Sequence, residues 1–352
     1  MMAITFADFI YKMSSNFTLL LIVLITLVVI VVNGLTVAPN AIVTCVSTRS
    51  LSMRKAIILA AMFNFLGVSI MTYLNSKVAQ TIFKMADFGG KENTSLIALC
   101  AAMIATITWC VAAWKLGLPT SEGHALIASM SGAAIALQHG FGGINFGEWI
   151  KIIYGLFFSI WAGFSAGYVI ERFTVRLFRN IDRSNATSFL VKAQISASAA
   201  LSFMHGAQDG QKFIAVMLLG IFLVNGDQSI PEFNIPFWVM LLCSSLMAIG
   251  TVIGGQKIIK KIGMDMVKFE PYQGFAADTA ASACLFIASS FGLPMSTAHT
   301  KTTAMLGVGV ARRVSYVKWG IVKDLVLTWV LTLPGCCLLG YLMAFILLLI
   351  FG

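Results

Sequence analysis

Charge is what this chain lacks. Asp and Glu together supply 14 of 352 residues, and charged residues of all types make up 11%, where a soluble globular domain carries roughly 25%. That shortage, set beside 59% hydrophobic content, excludes an ordinary water-soluble fold. Histidine occurs four times and cysteine seven times. The cysteines (Cys45, Cys100, Cys110, Cys243, Cys284, Cys336 and Cys337) lie in or beside apolar stretches without metal-ligand spacing, so they read as free core thiols. No His-Glu-x-x-His pair and no cluster of nucleophile and base marks an enzyme. No nucleotide-binding loop is present, so ATP-driven transport would need a separate subunit. No alternation of apolar and polar residues runs through the apolar segments, which excludes a membrane β-barrel.

What is present is a series of continuous apolar runs: 17–32, 56–73, 95–114, 150–170, 213–224, 237–254, 274–291 and 318–351. Several match the length needed to cross hydrocarbon, and the total corresponds to roughly ten to twelve crossings. The first run reads as a span, because only Lys12 precedes it as a basic residue and no small-x-small cleavage site follows. The expected class is an all-α integral membrane protein, multi-pass in the cell membrane. The formal net charge of +10 would suggest nucleic acid in a soluble domain. Here the Lys and Arg sit in short stretches between apolar segments, so the lipid bilayer is the expected partner and nucleic acid is not. The positive-inside rule places Arg172, Arg176, Arg179, Arg183 and Lys192 in the cytoplasm, a placement that a lipid-binding basic patch would share.

Two segments read almost as copies: Gly117-Leu118-Pro119-Thr120-Ser121-Glu122-Gly123-His124 and Gly292-Leu293-Pro294-Met295-Ser296-Thr297-Ala298-His299. Each is preceded at similar spacing by another motif, Gly34-Leu35-Thr36-Val37-Ala38-Pro39-Asn40 and Gly206-Ala207-Gln208-Asp209-Gly210-Gln211-Lys212. The chain therefore divides into a first membrane repeat (1–171), a basic cytoplasmic linker (172–188) and a second membrane repeat (189–352). Inverted repeats, with broken or half helices at mid-membrane, are the favoured arrangement. The later motif of each half has the composition of a helix start, with proline followed by a capping serine. Free N–H groups and the positive end of the helix dipole can hold an oxyanion there without burying an arginine. Ser121, Glu122, Gly123, Gln211, Ser296, Thr297 and Ala298 are the candidate substrate-binding residues.

Asp209 needs a partner among apolar segments. Two arrangements stay open: a bound cation such as sodium, with Gln208 and Asn40 as further oxygen ligands, or an ion pair with Lys212. His124 and His299 invite a proton-relay reading, against which stands a structural hydrogen bond back into the loop.

These motifs resemble those of the inorganic phosphate transporter (PiT) family, secondary transporters that carry Gly-Ala-Asn-Asp motifs and Gly-Leu-Pro-Val-Ser-Thr-Thr-His in both halves. The resemblance spans Gly34 to about Tyr341 and is best at Ser202–Lys212 and Gly292–Thr300. It implies phosphate uptake driven by sodium or protons, with no other cofactor. The Ser-Thr segments would hold the anion, and the Asp and Asn positions the cation. The second half keeps Asp209, Gln211, Lys212, Ser296, Thr297 and His299, with Gln208 and Ala298 as replacements. The first half departs more, with Thr36-Val37 where the family has Asn-Asp, and Ser121-Glu122-Gly123 where it has Ser-Thr-Thr.

Val37 cannot bind a cation, so Glu122 is expected to take over coupling, as a proton carrier or a cation ligand; the alternative is a glutamate facing a water-filled vestibule. Cation coupling thus draws on Asn40, Glu122, Gln208 and Asp209. Sulfate is the rival substrate in the same architecture, although a carboxylate near the site could accept a hydrogen bond from protonated phosphate and would only repel sulfate. A transport-dead sensor is the reading from another class. Homo-oligomerisation stays open, since lipid-facing and protomer-facing surfaces look alike in sequence.

Overall fold

Apolar runs that must satisfy their own backbone in hydrocarbon become helices. The computed structural model describes residues 5–89, 92–116, 120–225, 235–265 and 269–352. Within them lie α1 (Phe6–Ser15), α2 (Phe17–Thr36), α3 (Val43–Ser47), α4 (Met53–Leu74), α5 (Lys77–Lys84), α6 (Glu92–Leu116), α7 (Glu122–Leu137) and α8 (Phe146–Phe178) in the first half. The second half holds α9 (Arg183–His205), α10 (Gln211–Asn225), α11 (Phe237–Asp265), α12 (Pro271–Phe291), α13 (Thr297–Arg312) and α14 (Trp319–Phe351). No strand occurs among the described residues, only an isolated bridge between Ala86 and Ile144. Eight segments are long and apolar enough to cross a membrane. The sequence-based count of ten to twelve crossings is higher; α9 and α10 form one continuous segment, Ser184–Val224, and α7 and α13 at 16 residues each are too short to span alone.

The basic stretch 172–188 holds the end of α8, a turn and the beginning of α9. The residues Gly117, Leu118 and Pro119 of the first later motif lie outside the described residues. Gly163-Phe164-Ser165-Ala166-Gly167 spells Gly-x-Ser-x-Gly, the nucleophile elbow of hydrolases, but it lies inside continuous helix α8, whereas an elbow needs a strand-to-helix turn.

Packing follows the duplication. Helix α2 lies against α11 as α9 lies against α4; α7 lies against α14 as α13 lies against α8; and α6 lies against α14 as α12 lies against α8. The close approaches recur as well. A Cβ on Gly132 of α7 would strike the Cys337 carbonyl of α14, and one on the corresponding Gly307 of α13 would strike the Phe164 carbonyl of α8. Small residues at such crossings let membrane helices pack closely where no hydrophobic driving force exists between them. The outer surface stays apolar, with Leu331, Leu338, Leu342 and Phe345 of α14 exposed, as a lipid-facing helix requires.

The hairpins α6–α7 and α12–α13 enter from opposite ends. Gln138, just after α7, donates to the Asp87 carbonyl near the start of α6 at 2.8 Å, beside the start of α8, where Asn145 N donates to Met85 O at 3.0 Å. Arg312 at the end of α13 pairs with Glu270 at the start of α12 at 3.2 Å. Gly155, Gly163 and Gly167 of α8 face Pro294, Thr300 and Ala304 in that order. Helices α8 and α13 therefore run parallel, and α13 ends at the far end of α8. That end carries Arg49, Arg54, Arg172, Arg176, Arg179 and Arg313, the basic residues that the positive-inside rule would place on the cytoplasmic side.

Candidate functional site

Helices α7 and α13 begin at matched positions for the same physical reason. Ser121 Oγ accepts from His124 N at 3.3 Å and Ser296 Oγ accepts from His299 N at 3.2 Å, so each serine caps its helix. Gly292, with φ of +70°, stops α12 in a left-handed turn that glycine adopts without steric cost. The amide of Gln208 then clamps the extended strand of chain that follows. Its Nε2 donates to Ser289 Oγ (2.9 Å) and Leu293 O (3.3 Å), and its Oε1 accepts from Met295 N (3.2 Å). The N–H groups of Glu122, Gly123, Thr297 and Ala298 sit in first turns, where the helix supplies no acceptor.

The two starts meet. The rings of His124 and His299, which correspond in the duplication, lie edge to face with centroids 5.0 Å apart, and so mark the pseudo-twofold relation. His299 also lies on Trp329 at 4.1 Å. Neither ring nitrogen of His299, nor Nε2 of His124, has a hydrogen-bond partner among the described residues. The loop hydroxyls already serve backbone N–H groups, so these histidines pack instead of bonding back into the loop.

Between the starts lies the first motif of the second half, folded as a π-helical turn, Gly206–Gly210, a feature often found at functional sites. It aims Asp209 at α13. Lys212 Nζ donates to Asp209 Oδ1 and to Met295 O, each at 2.6 Å. Thr297 Oγ1 donates to Asp209 Oδ2 at 3.1 Å, and His205 Nε2 lies 3.2 Å from the same oxygen. The ion pair with Lys212 is thus formed, and the aspartate is satisfied on both oxygens. Lys212 also reaches the other half: a Cβ on Gly123 would lie 2.7 Å from its Nζ. The ammonium thus stands beside both helix starts, and a larger residue at 123 would require the end of Lys212 to shift.

Glu122 is placed differently. It is buried, and Oε1 accepts from Thr36 at the end of α2, while Oε2 has no partner among the described residues. Asn33, one turn earlier on α2, lies within reach of this carboxyl without forming a hydrogen bond of ordinary geometry. Asp209 with Thr297 and Glu122 with Thr36 both join the two motifs of a half by a carboxylate and a hydroxyl, although Thr36 corresponds to Gln208 and it is Val37 that corresponds to Asp209. In the first half the carboxylate stands in the later motif rather than the earlier one.

Of the predicted site residues, Ser121, Glu122, Gly123, Ser296, Thr297, Ala298 and Asp209 are brought together. Gln211 is not: its amide accepts from Ala79 N (3.2 Å) and donates to Asn75 O (2.8 Å), tying down the turn between α4 and α5. Gln208 serves the loop rather than a cation. Asn40 shares a small cavity with Thr297 and His205, and its Oδ1 has no hydrogen-bond partner among the described residues. The cation that Asp209 meets among the described residues is the Lys212 ammonium, 2.6 Å from its Oδ1. The described residues contain no cluster of three or more His, Cys, Asp or Glu able to hold a metal. Sequence reasoning missed Thr36 as the partner of Glu122; its place beside Val37 was the available signal.

With two half-helix starts and an ammonium converging, the site offers an oxyanion donors from both halves. Comparison with known proteins bears on that reading. The model of the phosphate transporter family matches residues 33–191 and 178–340. A protein of Bacillus subtilis (strain 168) described as a probable low-affinity inorganic phosphate transporter is 38% identical over 333 residues, covering 94% of this chain and 98% of the relative. One of Rhizobium meliloti (strain 1021), described in the same words, is 36% identical over 314 residues, covering 89% and 91%. Among solved structures, one titled the sodium-dependent phosphate transporter superposes with a TM-score of 0.80 over 95% of this chain and 100% of its own, at 22% identity.

Proposed function

The chain belongs to the phosphate transporter family, and on that premise we propose that it carries inorganic phosphate between the starts of α7 and α13, with a coupling cation, proton or sodium, taken up at Glu122. One observation carries the assignment. Of the two buried carboxylates at the site, Asp209 is neutralised by Lys212, whereas Glu122 has a hydroxyl on one oxygen and, among the described residues, no hydrogen-bond partner on the other. An ionised carboxylate so placed is costly in hydrocarbon.

It also opposes the substrate. At roughly 5 Å and an effective dielectric of about 20, each unit of charge on the anion costs about 3 kcal/mol against Glu122. A cation on Glu122 removes that penalty, so cation and anion each raise the affinity for the other, which is the thermodynamic content of coupling. Protonated phosphate can further donate a hydrogen bond to the carboxylate, which sulfate cannot do at neutral pH.

Uptake of labelled phosphate and sulfate into proteoliposomes, under an imposed proton or sodium gradient, tests this reading. Phosphate is expected to accumulate under one of the gradients and to be little reduced by equimolar sulfate. Accumulation of sulfate in preference to phosphate would transfer the same site to the other anion. No accumulation of either under any gradient would reject transport.

A further inference from the structure

A second charged cluster lies in the membrane interior, apart from the anion site. Asp278 of α12 is fully buried. Thr44 Oγ1 of α3 donates to its two oxygens at 2.8 and 2.9 Å, Ser198 of α9 donates to Oδ2, and Lys301 of α13 pairs with Oδ1. Lys301 Nζ donates in addition to Thr44 Oγ1 at 3.0 Å. One ion pair thus clasps four helices drawn from both halves.

Its position lies between the anion site and the cytoplasmic end. On the inner side, Lys301, Asn40, His205 and Thr297 line a cavity of about 10 Å³, room for a single water, and His205 and Thr297 also touch Asp209. On the other side, one turn beyond Thr44 and one turn before Ser198, Thr48 and Ser50 donate to Gln194 Oε1 at 2.9 and 2.5 Å. Beyond that come Arg49, Arg54 and Lys192. Polar contacts therefore run from the site to the basic end, closed at the ion pair.

The cluster breaks the duplication. The positions corresponding to Asp278 and Lys301 in the first half hold Met103 and Leu126, both buried in apolar packing. A buried ion pair is a weak source of stability compared with such packing, so stability alone does not account for an exchange confined to one side. Lys301 stands one helical turn from Thr297 on the same face of α13, where an anion held at the helix start can compete with Asp278 for the ammonium.

We propose that Asp278 and Lys301 form the inner gate of the transport path, the contact that parts for phosphate to pass from Thr297 to the cytoplasmic end. The inference rests on phosphate as the substrate. Cys45, buried next to Thr44, reports on the gate without reference to uptake. With the other six cysteines replaced, its labelling by a membrane-impermeant maleimide is measured in inside-out vesicles. The native pair should label slowly and several-fold faster in saturating phosphate. Asp278→Asn and Lys301→Gln should each raise the phosphate-free rate at least tenfold. Thr44→Val, which keeps both charges and removes the hydroxyl that contacts Asp278 and Lys301, should fall between and keeps the test open if a charge variant fails to fold. In right-side-out vesicles the rate should not change. Variants that open without any effect of phosphate on the native chain would uphold the gate and reject the substrate. Folded variants that label as slowly as the native pair, with phosphate uptake intact, would overturn the gate and leave the function standing.

Discussion

Lys212→Met is expected to cost about 3–5 kcal/mol of stability, the usual result of removing one partner of a buried ion pair, and to abolish phosphate uptake. The ammonium sits at 2.6 Å from both Asp209 Oδ1 and Met295 O. Without it, Asp209 keeps Thr297 and His205 but loses its counter-charge in a site closed to water. Thermal unfolding in detergent measures the loss. The double variant Asp209→Asn with Lys212→Met removes both charges and should recover most of the stability, since the penalty belongs to the uncompensated carboxylate and the two sites are strongly coupled. Transport should not return, because the cation beside Gly123 and the two helix starts is gone. A singly substituted Lys212→Met protein with native melting behaviour and uptake would contradict the bridging role.

Glu122→Gln should separate exchange from accumulation. The amide keeps the size of the side chain and the contact with Thr36, but carries no charge and titrates with nothing. Phosphate then meets a site that is permanently without the opposing carboxylate, so phosphate–phosphate exchange across the membrane should persist. Gradient-driven accumulation should fall at least about tenfold, the factor that corresponds to about 1.4 kcal/mol of lost coupling energy. Counterflow and net uptake in the same proteoliposomes distinguish the two. Unchanged net uptake at every pH would show that Glu122 faces a solvated vestibule and couples nothing.

Much of this was legible because the chain repeats itself. Two copies of a helix-start motif, each with serine and histidine at matched positions, indicate half helices, and their meeting at His124 and His299 follows from the symmetry that duplication imposes. The departures at Thr36-Val37 and Glu122 were visible in the same way, by comparing one half with the other. Their contact was not, since the bond between Thr36 and Glu122 joins residues distant in sequence and neither type announces a partner. Asp278 and Lys301 lie outside any motif, and Thr44 and Ser198 are ordinary polar residues of apolar helices until the fold brings them to one point. Span number was hard to read for a physical reason. Hydropathy measures how apolar a segment is and not whether it crosses, and α7 and α13, 16 residues each, are buried in protein and return to the end from which their hairpins enter.

The central claim is that the first half carries its carboxylate in the later motif, at Glu122 beside Thr36, with Val37 in the earlier one, while the second half keeps Asp209 in the earlier motif opposite Thr297. Moving it to the earlier motif is the most direct test. Glu122→Thr alone should lose cation-driven phosphate accumulation, and adding Val37→Asp, which rebuilds in the first half the pairing seen between Asp209 and Thr297, should restore it. Accumulation that survives Glu122→Thr, or that fails to return in a folded double variant able to exchange phosphate, would contradict the claim.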